Sequence, residues 1–188
     1  MAYNITSWGT DTNTNAPSGA SLNTTNFQYK TIHGISNTDS NAGTDYFIGF
    51  YTPADNSNDP LSPHNRILWG TAGILSKGYF VAEDYNPNDS SNIRSIKVFK
   101  LTPNAGADVG EKDNYTLLET VAISNADLQA EARGIIINFD ETKCVFEAGD
   151  IMAIAYNDSA DVQNNANDDT NWTFVLREDW NNIIDGNI

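Results

Sequence analysis

Two histidines, one cysteine and a surplus of carboxylates are the residues from which this chain would build chemistry. His33 and His64 lie far apart, and neither neighbours the cysteine or a close acidic pair at metal-ligand spacing. A zinc site needs three or four converging ligands, and a nucleophile–base–acid triad needs a partnered histidine. Neither pattern is present, so His33 reads as a strand residue and His64 as an exposed loop residue. Asp11-Thr-Asn-Thr-Asn-Ala16 has the spacing of half a calcium-binding loop. Ala16, however, stands where the sharp turn requires glycine, and Leu22 where a bidentate Glu belongs. Asp55-Asn-Ser-Asn-Asp59 fails similarly, with Arg66 at its twelfth position. Asp158, Asp161, Asn167, Asp168 and Asp169 offer enough oxygens to crowd a cation, but that composition is ordinary for solvated turns. Glycoside hydrolysis asks for two carboxylates facing across a cleft. Glu83-Asp84 and Glu178-Asp179 are chain neighbours, and on a strand their side chains point to opposite faces. Phosphate loop, nucleophile elbow and kinase signature are all missing. We therefore expect a non-enzymatic protein with no catalytic, cofactor-binding or metal-binding residues.

Composition narrows the class. The 188 residues carry a formal charge of −15, with 39% hydrophobic and 19% charged content. Such an exterior repels phosphate backbones and anionic lipid, so nucleic acid and membranes are not expected partners. The polar remainder is largely Asn, Asp, Thr and Ser, which serve turns and strand edges better than helix interiors. Twenty aromatic residues (8 Phe, 8 Tyr, 4 Trp) favour strands. The single cysteine, Cys144, has no disulfide partner in the chain and sits in an apolar strand, as a small buried hydrophobe would. The opening residues show no signal peptide, and no run reaches transmembrane length. Folding in the cytoplasm where the chain is made is expected.

The elements that would carry these residues can be placed along the chain. Residues 1–26 form a polar leader with too little apolar surface to fold alone. Its Tyr3, Ile5 and Trp8 are placed to anchor an extended arm on a neighbouring subunit. Residues 27–35, 45–52, 67–70, 78–85, 93–101 and 114–123 read as strands, with 93–101 and 114–123 antiparallel partners across a loop. The stretch 45–52 is apolar on both faces and is expected to be central in its sheet. Ser or Asn caps, Arg133 and Gly134 frame a short helix over 125–133. Residues 134–156 are the densest apolar stretch, read as two or three strands turned at 140–143 and 147–150. Ile135, Ile137, Phe139, Val145, Ile151 and Ile154 are its expected core residues. The last strand runs over 171–178, and Trp180 with Ile183 and Ile184 would pin a tail over 181–188. An all-β antiparallel sandwich of jelly-roll type follows, spanning 27–180 between the arm and the tail.

The basic residues cluster: Arg94, Lys97 and Lys100 bring three of ten Lys and Arg to one strand. They either guard a sheet edge against aggregation or form a strip that docks an acidic neighbour. In 134–156, apolar side chains on both faces imply that one fills the sandwich while Ile136 and Met152 meet a subunit.

Lys143-Cys-Val-Phe-Glu-Ala-Gly-Asp-Ile-Met-Ala-Ile-Ala, a polar loop, and Asn171-Trp-Thr-Phe-Val-Leu together resemble the closing part of a C1q or tumour-necrosis-factor jelly roll. There a Gly-Asp turn precedes a final aromatic strand at a subunit interface, which would make Trp172 a contact residue. In overall style the chain is similar to virion structural proteins of tailed bacteriophages. That resemblance implies a homo-oligomer, with a trimer favoured, located in the virion and partnered by the major capsid protein or tail components. A head decoration (cement) protein is the expected role; a tail-fibre or receptor-binding module gripping a host glycan through 53–65 or 157–171 is the alternative.

Overall fold

The computed structural model describes residues 27–36, 44–50, 63–82, 93–104, 106–124, 134–158 and 170–179. The expected arm, the helix over 125–133 and the C-terminal tail lie outside these residues. Among the described residues there are ten strands: β1 (Phe27–Ser36), β2 (Tyr46–Phe47), β3 (Arg66–Leu68), β4 (Gly73–Ala82), β5 (Ile93–Leu101), β6 (Thr116–Ser124), β7 (Gly134–Asn138), β8 (Val145–Phe146), β9 (Ile151–Asp158) and β10 (Thr170–Asp179). No helix among the described residues is long and apolar enough to cross a membrane.

The strands form two antiparallel sheets. Sheet A runs β1-β10-β4-β7, with β8 also on β4; sheet B runs β2-β9-β5-β6, with β3 also on β9. The pairing is nested: β1 with β10, β2 and β3 with β9, β4 with β7 and β8, β5 with β6. The chain is thus a long ribbon doubled at the β5–β6 hairpin. The ribbon then rolls, so that β10 also pairs β4 and β9 also pairs β5. This is the jelly roll, which needs only antiparallel ladders and keeps its edges few. At one corner the sheets touch, where the Ile35 N–H donates to Gly49 O at 3.1 Å.

Alternation fills the space between the sheets. Leu75, Phe80, Ile137, Trp172, Phe174 and Leu176 from sheet A meet Tyr46, Ile48, Ile67, Ile96, Val98, Met152, Ile154 and Tyr156 from sheet B. Burying each large apolar side chain is worth about 1.5–3 kcal/mol. Trp172 packs on Phe80 with ring centroids 4.2 Å apart, and Trp69 stacks on Phe146 at 4.7 Å. Close packing dictates Gly73: a Cβ there would run into the Trp69 ring and sit 2.6 Å from Arg177 O.

The 134–156 stretch folds as expected into β7, β8 and β9, with turns between them. In the second turn Gly149 takes φ +93°, the left-handed region glycine tolerates. Asp150 secures it by accepting from the Glu147 N–H at 2.7 Å and the Thr102 hydroxyl at 2.6 Å. Ile137, Phe139 and Ile154 are core residues, but the strand phase after the first turn differs by one. Phe146 and Met152 are buried, whereas Val145 is exposed and Ile151 half-buried.

Two placements also differ from expectation. β2 lies at the edge of sheet B, not its centre. Its two-sided apolarity arises because Tyr46 faces the main core while Phe47 faces a second, smaller one. β5, in contrast, lies between β9 and β6, so its basic residues guard no edge.

Candidate functional site

The outer faces of the two sheets differ in chemistry. On sheet B, the outward side chains Phe47, Phe99, Leu101, Ala153 and Ala155 are apolar and would be exposed in a bare sheet. The β5–β6 connection folds over them, burying them against Tyr115, Ala107 and Val109. Polar fastenings hold this cover. Arg66 donates to Val109 O at 2.8 Å, as does the Tyr115 hydroxyl. Lys112, from a 3-10 turn over Lys112–Asn114, lies above the Phe99 ring at 5.7 Å.

Asp45 is the anchor of the cover. It is 8% exposed and accepts from Lys97 Nζ at 2.5 Å, Lys112 Nζ at 2.6 Å and Asn157 Nδ2 at 2.8 Å. Burial pushes its carboxyl up, but hydrogen bonds from Lys112, Lys97 and Asn157 outweigh that and hold it below the usual carboxylate range. One carboxylate therefore joins the segment before β2, strands β5 and β9, and the covering loop.

The outer face of sheet A has a different character. The register aligns Tyr79 with Ile136 on β7 and with Thr173 on β10, which in turn faces His33 on β1. One row on, Val81 faces Asn171, which faces Ile35. At the far end Ile74 lies between Val145 and Arg177, and Arg177 faces Tyr29. Side chains in one such row share a face. Eight large apolar side chains are exposed among the described residues, and six belong here: Tyr29, Ile35, Tyr79, Val81, Ile136 and Val145. The one described outward strand position on this face that is an acid is Asp179, at the very end of β10. Glu141, at the turn after β7, is held by Ser76 at 2.7 Å and Arg177 at 3.2 Å.

The residues expected to contact subunits scatter. Ile136 is 61% exposed on the sheet A face. Met152 and Trp172 are core side chains, 0% and 2% exposed, because their strand parity turns them inward. That corrects the expectation that they reach a neighbour. Lys97 is taken up by Asp45. Lys100 donates to Val145 O at 3.2 Å and lies 3.5 Å from Asp150, tying β5 to the β8–β9 turn. A docking strip on this strand is thereby corrected, as its lysines are spent within the chain. Tyr3, Ile5, Trp8 and the Arg94 side chain lie outside the described residues, as do 53–62 and 159–169 of the loops considered for glycan binding.

The groups screened for chemistry have structural surroundings. The His33 ring shares a 2.9 Å hydrogen bond with Thr173 Oγ1 on the sheet A face. Glu178 is buried and 3.6 Å from Lys30. Cys144 is buried with Sγ 3.3 Å from Glu119 Oε2; burial and that carboxylate push the thiol well above its usual range, leaving it protonated. Among the described residues, no three His, Cys, Asp or Glu side chains converge as a metal site would require. Sequence reasoning missed both Asp45 and the Tyr79–Val81 pair. The second had a signal, since 78–82 is apolar at both strand parities.

No protein-family model and no curated protein sequence matches the chain. Among solved structures it is similar to a chain of the acidic stable capsid of Helicobacter pylori bacteriophage KHP30, at 11% identity and a TM-score of 0.38, over 81% of this chain and 92% of that one. It is also similar to a chain of infectious bursal disease virus, Gt strain, at 8% identity and a TM-score of 0.30, over 84% of this chain and 33% of that one. Likeness at this level establishes neither shared ancestry nor shared function.

Proposed function

We propose that the protein is a non-enzymatic structural component of a virion, and within that class a head decoration (cement) protein assembled with other virion proteins. The observation that carries this reading is the contrast between the two outer faces. The apolar centre of sheet B's outer face is covered by the chain's own loop, while sheet A leaves Tyr29, Ile35, Tyr79, Val81, Ile136 and Val145 exposed on its outer face, for which a free-standing monomer has no use. The charged side chains that the sequence brings together serve to fasten loops, which suits a rigid building block. The bacteriophage-like style of the sequence supplies the setting.

The test is reconstitution. Particles lacking the protein should bind the purified chain saturably, and the decorated particles should release their genome at a higher temperature than bare ones. Absence of binding together with unchanged particle stability would sink the reading. The receptor-binding alternative predicts instead that the chain adsorbs to host cells or glycan arrays.

A further inference from the structure

We infer that the outer face of sheet A is a self-association surface, on which a second copy of this chain docks face to face about a two-fold axis. The argument begins with charge. Each copy carries −15, so most surfaces that two copies could bring together would set carboxylate against carboxylate. The exposed apolar patch of sheet A avoids this. Around Tyr79, Val81 and Ile136, a contiguous exposed patch, the outward strand positions are His33, Thr173, Asn171, Lys77 and Asn138, with no acid among them; Glu141 is paired with Arg177 and Asp179 stands at the far end of β10. Apolar contact can therefore form here without a like-charge penalty.

Size and shape agree. Three ten-residue strands and the five-residue β7, about 4.8 Å apart with about 3.4 Å per residue, give a footprint of roughly 570 Å2 in projection. Accessible area exceeds projected area, which brings the face toward the roughly 800 Å2 per partner typical of stable complexes. Sheets also pack on sheets readily, with side chains interleaving across about 10 Å. A patch that docks on its own copy closes by two-fold symmetry, since each copy offers the same surface. Sheet B offers less: one face fills the core, and the β5–β6 loop covers the apolar centre of the other, leaving Leu68 and Leu117 exposed singly at its margins.

This pairing goes beyond the virion reading and can fail independently of it. Sedimentation equilibrium of the full chain should show a dimer, tightened by salt as the charge is screened. Ile136→Glu and Tyr79→Glu should each raise the dissociation constant by at least about tenfold. Both sites are exposed in the single chain, so circular dichroism and the melting temperature of dilute protein should stay unchanged. Leu117→Glu, on exposed sheet B surface, should leave the dimer intact. A wild-type chain monomeric up to about 100 μM, or a dimer indifferent to both sheet A substitutions, overturns the inference. If that monomer binds particles through Ile136 and Tyr79, the face belongs to another virion protein: self-association is refuted while the structural role stands. A dimer that dissociates on substitution but binds no particle supports the pairing and counts against the virion role.

Discussion

Asp45 receives three donors from separate parts of the chain, and removing its charge orphans two ammonium groups at once. Breaking a fully buried pair costs about 3–5 kcal/mol. Lys97 and Lys112 are 23% and 40% exposed, so water recovers part of that. We expect Asp45→Asn to destabilise the protein by about 1–3 kcal/mol in urea or guanidinium unfolding. The pH dependence has a definite sign. The folded carboxyl lies below the usual range, so as pH falls the unfolded chain takes up this proton first. The Asp45 contribution is whole above about pH 4 and is lost as pH drops from there through the lower folded value. The stability gap between wild type and Asp45→Asn should accordingly narrow below about pH 4, and a gap constant across that range would contradict the assignment. Two apolar residues of the 134–156 stretch make a second contrast. Met152→Asp places an unpaired charge in the core and should prevent folding, whereas Ile136→Asp, at an exposed site, should shift stability by no more than about 0.5 kcal/mol.

At the scale of elements, the β5–β6 loop behaves as a lid fixed over a small second core. Replacing residues 103–114 with a two-residue Asn-Gly turn keeps the hairpin but uncovers Phe47, Phe99 and Leu101. That variant should bind ANS in its folded state and aggregate at lower concentration than wild type; a clean, ANS-silent monomer would show that the lid is dispensable. Gly73→Ala tests the packing of β4 on Trp69, with an expected loss of about 1–3 kcal/mol from overpacking. These elements also show what the sequence made legible. The strands of the β5–β6 hairpin and the turns at 140–143 and 147–150 follow from alternation and turn chemistry, which are local signals. The phase of 145–152 was ambiguous because both sides of β9 are buried, one by the core and one by the lid. Lys97 looked like a docking residue because its partner is 52 positions away in sequence, and no local pattern reveals that approach. The face on sheet A is composed across β1, β10, β4 and β7, so it exists only once the register is known.

For the molecule as a whole, the charge of −15 opposes compactness by self-repulsion. Melting temperature at pH 7 should therefore rise between about 20 mM and 500 mM sodium chloride, as the Debye length falls from roughly 20 Å to a few ångströms. A flat salt response would mean that the charges are already neutralised locally, as in the Asp45 cluster. The nested ribbon has a further mechanical consequence. Phe27 and Asp179 are register partners at one end of the β1–β10 ladder, so the first and last described residues lie at the same corner. Tension applied between those two points would not shear the ladder, with all its bonds loaded together. It would open the ladder like a zipper, one rung at a time, and would yield at low force. Anything that must hold this protein under load would therefore do better to grip its broad faces than these two points.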